Sequence, residues 1–127
     1  MDKPTHDKGL EINSAVLGKA YVANSIRNAD NFNRPLNELV SEYCWGAVWG
    51  RLGVDRKTRN FPNLAMLSAL NRSRELELHL KGALNNGFSR DKIREVFLQV
   101  AIYCGVPVRV DAFRIARKVF AEIDGHA

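Results

Sequence analysis

The chain has 127 residues, of which 46% are hydrophobic, 9% aromatic and 26% charged, a length for one domain and the make-up of an ordinary globular protein. Disorder, collagen and coiled coil are excluded on that ground, and no run approaches the ~18–20 apolar residues that a membrane span needs. Nineteen Lys and Arg against 14 Asp and Glu leave a net charge of +5, but acids interleave with the basic residues in Arg74–Lys81 and Asp91–Glu95, so the pattern reads as a solvated surface or a local anion site and not as a nucleic-acid face.

The opening eighteen residues have no apolar core of the kind a signal peptide carries. Leu10, Ala15, Val16, Ala20 and Val22 recur at loosely helical spacing, which predicts a helix over about 9–27. Asn28–Arg34 is polar and reads as a linker. Asn33 is placed to cap the next helix, with Pro35 in its first turn, where a missing N–H is harmless. That helix is expected to reach about Trp49, with Leu36, Leu39, Val40, Tyr43 and Ala47 on one face and Trp45, Val48 and Trp49 beside it. Gly50 and Gly53 bracket a turn. Asp55 can open a helix to Leu70, but Pro62 crowds the preceding turn and predicts a kink or a late start near Phe61.

Asn71–Arg74 reads as a short break. Glu75–Asn85 is then helical, with Leu76, Leu80, Ala83 and Leu84 inward, and Asn86-Gly87 stops it through the left-handed conformation that Gly tolerates. Ser89 caps the clearest helix, whose apolar residues Ile93, Val96, Phe97, Val100, Ala101 and Cys104 fall at i, i+3, i+4, i+7, i+8 and i+11. Gly105 ends it and Pro107 reopens the chain. Ala112, Ile115, Ala116, Val119, Phe120 and Ile123 mark the last helix. The prediction is one all-α domain of about five to seven helices with short connections, its core over about 35–123.

Glu75 and His79 are four residues apart, hence on one helical face. They are either a core histidine held by a carboxylate or an acid/base pair in which the carboxylate orients the imidazole. Trp45 and Trp49 share the same spacing, followed by Arg51, Arg56 and Arg59. They form either a packed aromatic stripe with solvated arginines or a stacking wall beside guanidinium groups that bind carboxylates. The two cysteines, Cys44 and Cys104, have neither CxxC nor metal-type spacing, so neither a disulfide framework nor a metal site is expected. A reducing, cytoplasmic setting fits. Cys104 closes an apolar stripe and is expected to be a buried, inert thiol; Cys44 has no activating neighbour.

The blocks Trp45–Arg51, Ala69–His79, Asn85–Gly87 and Tyr103–Pro107, in that order, resemble the carboxymuconolactone decarboxylase family, and Ala15–Val22 is similar to the family's first helix. The resemblance implies an alkyl hydroperoxidase D-like helical fold and a ring-shaped homohexamer. It implies a carboxylate-bearing lactone as substrate, γ-carboxymuconolactone in aromatic catabolism, decarboxylated with no metal or organic cofactor because the lactone is the electron sink. Nucleic acid and membrane are not implied as partners. On this resemblance His79 and Glu75 carry the acid/base chemistry, Arg51, Arg59 and Arg72 hold carboxylates, and Trp45 or Trp49 faces the departing one. The redox relatives' CxxCxxxH motif, anchored on His79, would put its cysteines at Arg72 and Glu75, so thiol peroxidase activity is not expected. Three stretches depart from the family pattern: Gly50–Val54, Asn60-Phe61-Pro62 and Asn13-Ser14. They leave open a paralogous lyase or isomerase for another unsaturated lactone or carboxylate, or a non-catalytic hexameric binding protein.

Overall fold

The computed structural model describes residues 1–125, apart from the side chains at 108 and 109, and these residues form helices with no strand. The all-α expectation holds. The chain divides into two compact units, Met1–Arg56 and the residues from Lys57 onward.

In the first unit, α1 (Lys3–Leu17) begins well before the expected position. Asp2 caps it, its carboxylate accepting from the Thr5 N–H at 3.2 Å, and Pro4 lies in the first turn. The single helix expected over 9–27 is two helices. Gly18, at φ 103° and ψ 146°, separates α1 from α2 (Lys19–Arg27), in a backbone region that side chains make costly and glycine does not.

The next expected helix changes type midway. Asn33 stands at the start of α3 (Arg34–Leu39) without capping it; its Oδ1 instead accepts from the Asp30 N–H at 2.8 Å. Val40–Val48 then continues as a π-helix, and at its end the Trp49 N–H donates to the Cys44 carbonyl, five residues back, at 2.9 Å. Each π turn is wider than the α-helix's about 3.6 residues. The buried positions are accordingly Ser41, Trp45 and Gly46, four and five apart.

The apolar face marked at α periodicity is not the buried one. Leu36 and Tyr43 are 61% and 57% exposed, and Leu39, Val40 and Ala47 are exposed as well. Backbone approach, and not apolar periodicity, selects the face that meets α1. A Cβ added to Gly9 would lie 1.7 Å from the Ser41 carbonyl oxygen, and one on Gly46 would lie 2.3 Å from the Thr5 carbonyl oxygen. Against this contact Ile12, Val16 and Trp45 form a small buried cluster.

In the second unit, α4 (Asn60–Ala69) starts where the proline requires, with Pro62 in its first turn. It ends with Asn71 at φ 58°; the Asn71 N–H donates to Ser68 O at 3.2 Å and the Arg72 N–H to Leu67 O at 2.9 Å. This Schellman closure turns the chain into α5 (Ser73–Asn85). The same closure recurs after α5, with Gly87 at φ 83° and the Phe88 N–H donating to Ala83 O at 2.9 Å. Ser89 caps α6 (Arg90–Cys104), its Oγ accepting from the Lys92 N–H at 3.1 Å. Gly105 leads into α7 (Val106–Ile123).

The core of this unit joins Leu64 of α4, Leu76 and Leu80 of α5, Phe97 of α6 and Val119 of α7. Burial along α6 fades after Val100, and Ile102 and Tyr103 are more than four-fifths exposed. Cys104, expected to be buried, is therefore exposed, because the last turn of α6 extends past the residues that cover the helix. Ile123, at the end of the apolar set of α7, is likewise exposed.

Candidate functional site

In the second unit a polar contact joins the first half of α4 to the middle of α5. His79 is half-buried in α5. The Asn63 Nδ2 of α4 donates to its Nδ1 at 2.8 Å. Burial holds the imidazole pKa below its ordinary value, because the charged form loses solvation; the Glu75 carboxylate, one turn earlier on the same helix, pulls the other way and more weakly. Neutral imidazole is therefore the dominant form near pH 7.

Asn63 also lies on one face of α4 with Arg59 and Asn60, four and three residues earlier. Asn60 is only 2% exposed. Its Nδ2 and the Arg59 Nε are buried with no hydrogen-bond partner among the described residues. A buried donor left unpaired costs about 1–3 kcal/mol, so two such donors on adjacent residues form an environment suited to oxygen-rich, electron-rich groups. The rest of the Asn60-Phe61-Pro62 departure has a different setting. Phe61 packs edge-to-face on Phe88 with ring centroids 4.7 Å apart, and with Pro62 it lines an apolar groove of about 440 Å³ that runs between α4 and α6 past Met66 and Val100.

Among the residues singled out from sequence, Glu75 and His79 are brought together on α5, with Glu75 exposed. Arg59 precedes α4 and Arg72 precedes α5, each at the cap position, with Arg72 exposed. Trp45, Trp49 and Arg51 belong to the first unit. The two indoles meet at 4.9 Å with a 36° tilt. Trp45, 4% exposed, packs with Ile12 and Val16, Trp49 lies half-buried against them, and Arg51 is exposed. Cys44 is exposed at its surface, and partial burial pushes its thiol up in pKa, away from a nucleophile's range. Among the described residues no three His, Cys, Asp or Glu gather as a metal site would require.

Sequence reasoning missed Asn63, which sits sixteen residues from His79 and meets it only through helix packing. It noted Asn60 only as a departure from pattern. The signal available was the spacing from Arg59, which places all three polar residues on one face of α4.

Residues 34–118 match the carboxymuconolactone decarboxylase family. The chain belongs to that family. It is 41% identical over 117 residues to a nitrosuccinic acid decarboxylase from Metarhizium robertsii, covering 92% of this chain and 82% of the relative. It is 36% identical over 122 residues to the 4-carboxymuconolactone decarboxylase of Acinetobacter baylyi, covering 96% of this chain and 91% of that one. The family match takes in α3 through most of α7, and so every candidate residue named above.

Proposed function

We propose that this member of the carboxymuconolactone decarboxylase family is a carboxy-lyase for dicarboxylates in which the departing carboxylate sits on a carbon that also bears an acetate arm and an electron sink. Two decarboxylases at 36% and 41% identity over most of the chain support the reaction class. The substrate class follows from what their named substrates share. In 4-carboxymuconolactone the ring carbon carries a carboxylate and an acetate arm, with the lactone as sink. In nitrosuccinic acid the carbon bearing the nitro group carries the same two substituents.

The chemistry is one of charge placement. The bond from carbon to the departing carboxylate breaks and CO₂ leaves. The electron pair flows into the lactone as a dienolate, which later takes up a proton at the carbon next to the lactone carbonyl, or into the nitro group as a nitronate, which takes one up at the carbon that lost CO₂. The substrate is its own electron sink, so the reading needs no metal or organic cofactor. The protein must hold the spectator carboxylate and meet the new charge on oxygen with donors placed in advance. Holding the departing carboxylate tightly would stabilise the ground state and slow the step. The observation that carries the reading is the half-buried His79 held by Asn63 of α4, whose neighbours Arg59 and Asn60 keep buried donors without a partner among the described residues. Arg59 and Arg72 are the candidate carboxylate ligands of the second unit, and Arg51 is the candidate from the first.

The preferred substrate is 4-carboxymuconolactone, converted to the enol-lactone of β-ketoadipate. Nitrosuccinic acid is the second reading, favoured by the 41% identity over 92% of the chain. Purified protein is given each compound while substrate absorbance and CO₂ release are followed. Turnover of the lactone supports the first reading and turnover of nitrosuccinic acid the second; saturable binding of both without CO₂ would replace the enzyme with a binding protein. His79→Ala should lose at least ~10²-fold in kcat while keeping its melting temperature and oligomeric state. A folded variant with near-native turnover removes His79 from the mechanism. The same reading includes a homohexamer and a cytoplasmic setting. The exposed Leu36, Leu39 and Tyr43 are apolar surface of the kind assembly covers, and light scattering that finds a stable monomer would refute the hexamer.

A further inference from the structure

We infer that Asn63 is a positioning residue that holds His79 in the Nε2–H tautomer, so that His79 meets the reacting molecule as a neutral hydrogen-bond donor and not as a base. The inference rests on the decarboxylase reading of this site and assigns the roles within it. It starts from one contact, the Asn63 Nδ2 on the His79 Nδ1 at 2.8 Å. An amide N–H needs a lone pair to donate into, so the Nδ1 of the neutral ring carries no proton and the Nε2 carries it. Whatever the Nε2 touches, it touches as a donor.

The contact also opposes protonation. An imidazolium would put its Nδ1–H against the Asn63 N–H, and the amide would have to turn over to present its oxygen. Half-burial of the ring acts in the same direction, with the Glu75 carboxylate working against both. A neutral ring in this tautomer has no free basic nitrogen and is a very weak acid.

Decarboxylation has no use for a base, since no proton is removed. The carbon–carboxylate bond breaks, CO₂ departs with neither electron of that bond, and the pair arrives on the oxygen of the dienolate or nitronate. A hydrogen bond from the His79 Nε2–H to that oxygen grows stronger as the charge develops, while the proton stays on nitrogen. The carbanionic carbon then takes its proton from a water molecule, and solvent buffer neutralises the hydroxide left behind. The buried donors Arg59 Nε and Asn60 Nδ2 belong to the same face of α4 as Asn63 by their spacing, and none of these three side chains carries a carboxylate. A carboxylate at position 63 would do the opposite: it would take the Nδ1–H, move the ring to the other tautomer and leave the Nε2 a lone pair facing negative charge.

The test is two-bond proton–nitrogen NMR of the whole protein at pH 7.5, with the His79 signals assigned by their loss in His79→Gln. The expected result is an unprotonated, pyridine-like Nδ1 and a protonated, pyrrole-like Nε2. In Asn63→Asp the proton should move to Nδ1 and kcat should fall about 10²-fold, the loss that follows removal of one donor to a developing oxyanion; a merely structural contact would not move the tautomer. An Nδ1–H tautomer or an imidazolium in the wild type overturns the inference, and this arm needs no variant to fold. Asn63→Asp with its proton moved but turnover within about threefold of wild type also overturns it. The spectra are read without substrate. Failure of both substrates to turn over would therefore overturn the decarboxylase reading and the donor role together, while the tautomer is decided separately.

Discussion

Replacing Gly9 with alanine adds one methyl group to the middle of α1, and helix propensity alone predicts a gain of up to about 1 kcal/mol. The contact between α1 and the π segment predicts the opposite sign. The new Cβ would stand 1.7 Å from the Ser41 carbonyl oxygen, 2.7 Å from its carbon and 2.9 Å from the Gly46 nitrogen. All three are backbone atoms, so no side chain can swing aside. Restoring even a tight 3.4 Å contact means moving one backbone away from the other by well over 1 Å. A radial gap of about 0.5–1 Å already forfeits a quarter to a half of the dispersion energy across a packed surface. The residues that would lose it are Ile12, Val16 and Trp45, each 5% exposed or less. Burying one such side chain is worth about 1.5–3 kcal/mol, so losing a third of that at each of the three, with added strain, amounts to about 3 kcal/mol. Set against the propensity gain, the net loss is about 2 kcal/mol, or roughly 6–10 °C in melting temperature. Thermal unfolding followed by circular dichroism reads it directly. Gly53→Ala is the control, since a Cβ there meets nothing within 4 Å, and it should change stability by less than about 0.5 kcal/mol. If Gly9→Ala melts at or above the wild-type temperature, the backbone contact is not what holds these two elements together.

Two further outcomes follow from the charged and titrating groups. The unfolded His79 takes its proton near its ordinary 6.5 and the native ring takes it lower, so its contribution to stability is whole above about pH 6.5 and is lost as the pH falls below that value; urea unfolding at pH 8 and pH 5.5 should show a smaller loss in His79→Gln than in wild type, and equal losses would refute it. Arg51→Ala should raise KM with kcat nearly unchanged if the guanidinium holds the spectator carboxylate equally in ground and transition states; an equal fall in kcat and kcat/KM would move Arg51 to the departing group.

What was legible in the sequence depended on how local its cause was. Ser89, Gly87 and Gly105 act through their own backbone or that of residues two or three away, so the ends of α5 and α6 could be read directly. The late start of α4 followed from Pro62 for the same reason. Gly18 carries the same kind of signal as Gly105, a glycine between two apolar periods, but no proline follows it to mark the break, and the helix was read through. The π segment has no comparable local cause. Pairing five residues back instead of four is selected where Gly46 and Ser41 press on Gly9, more than thirty residues earlier in the chain. The apolar face marked at α periodicity is therefore not the buried one. The site divides similarly. Glu75 and His79 could be paired from their spacing, but the residue in hydrogen-bond contact with the imidazole comes from another helix. Asn63 could be found only once α4 and α5 were packed together.

The π segment also bears on how this family member could be reshaped. Each of its turns takes up more chain than an α turn, so Val40–Val48 holds spare length. Deleting one residue there would let the remaining amides pair four back, as in an ordinary helix, and α3 would swing about 100° around the axis relative to Trp45 and Gly46. Leu36 and Leu39 would then look out over a different part of the surface, while the glycine contact with α1 stayed as it is. A length change of one residue is thus a dial for the apolar surface this unit offers to its surroundings, set independently of the packing that holds the unit together.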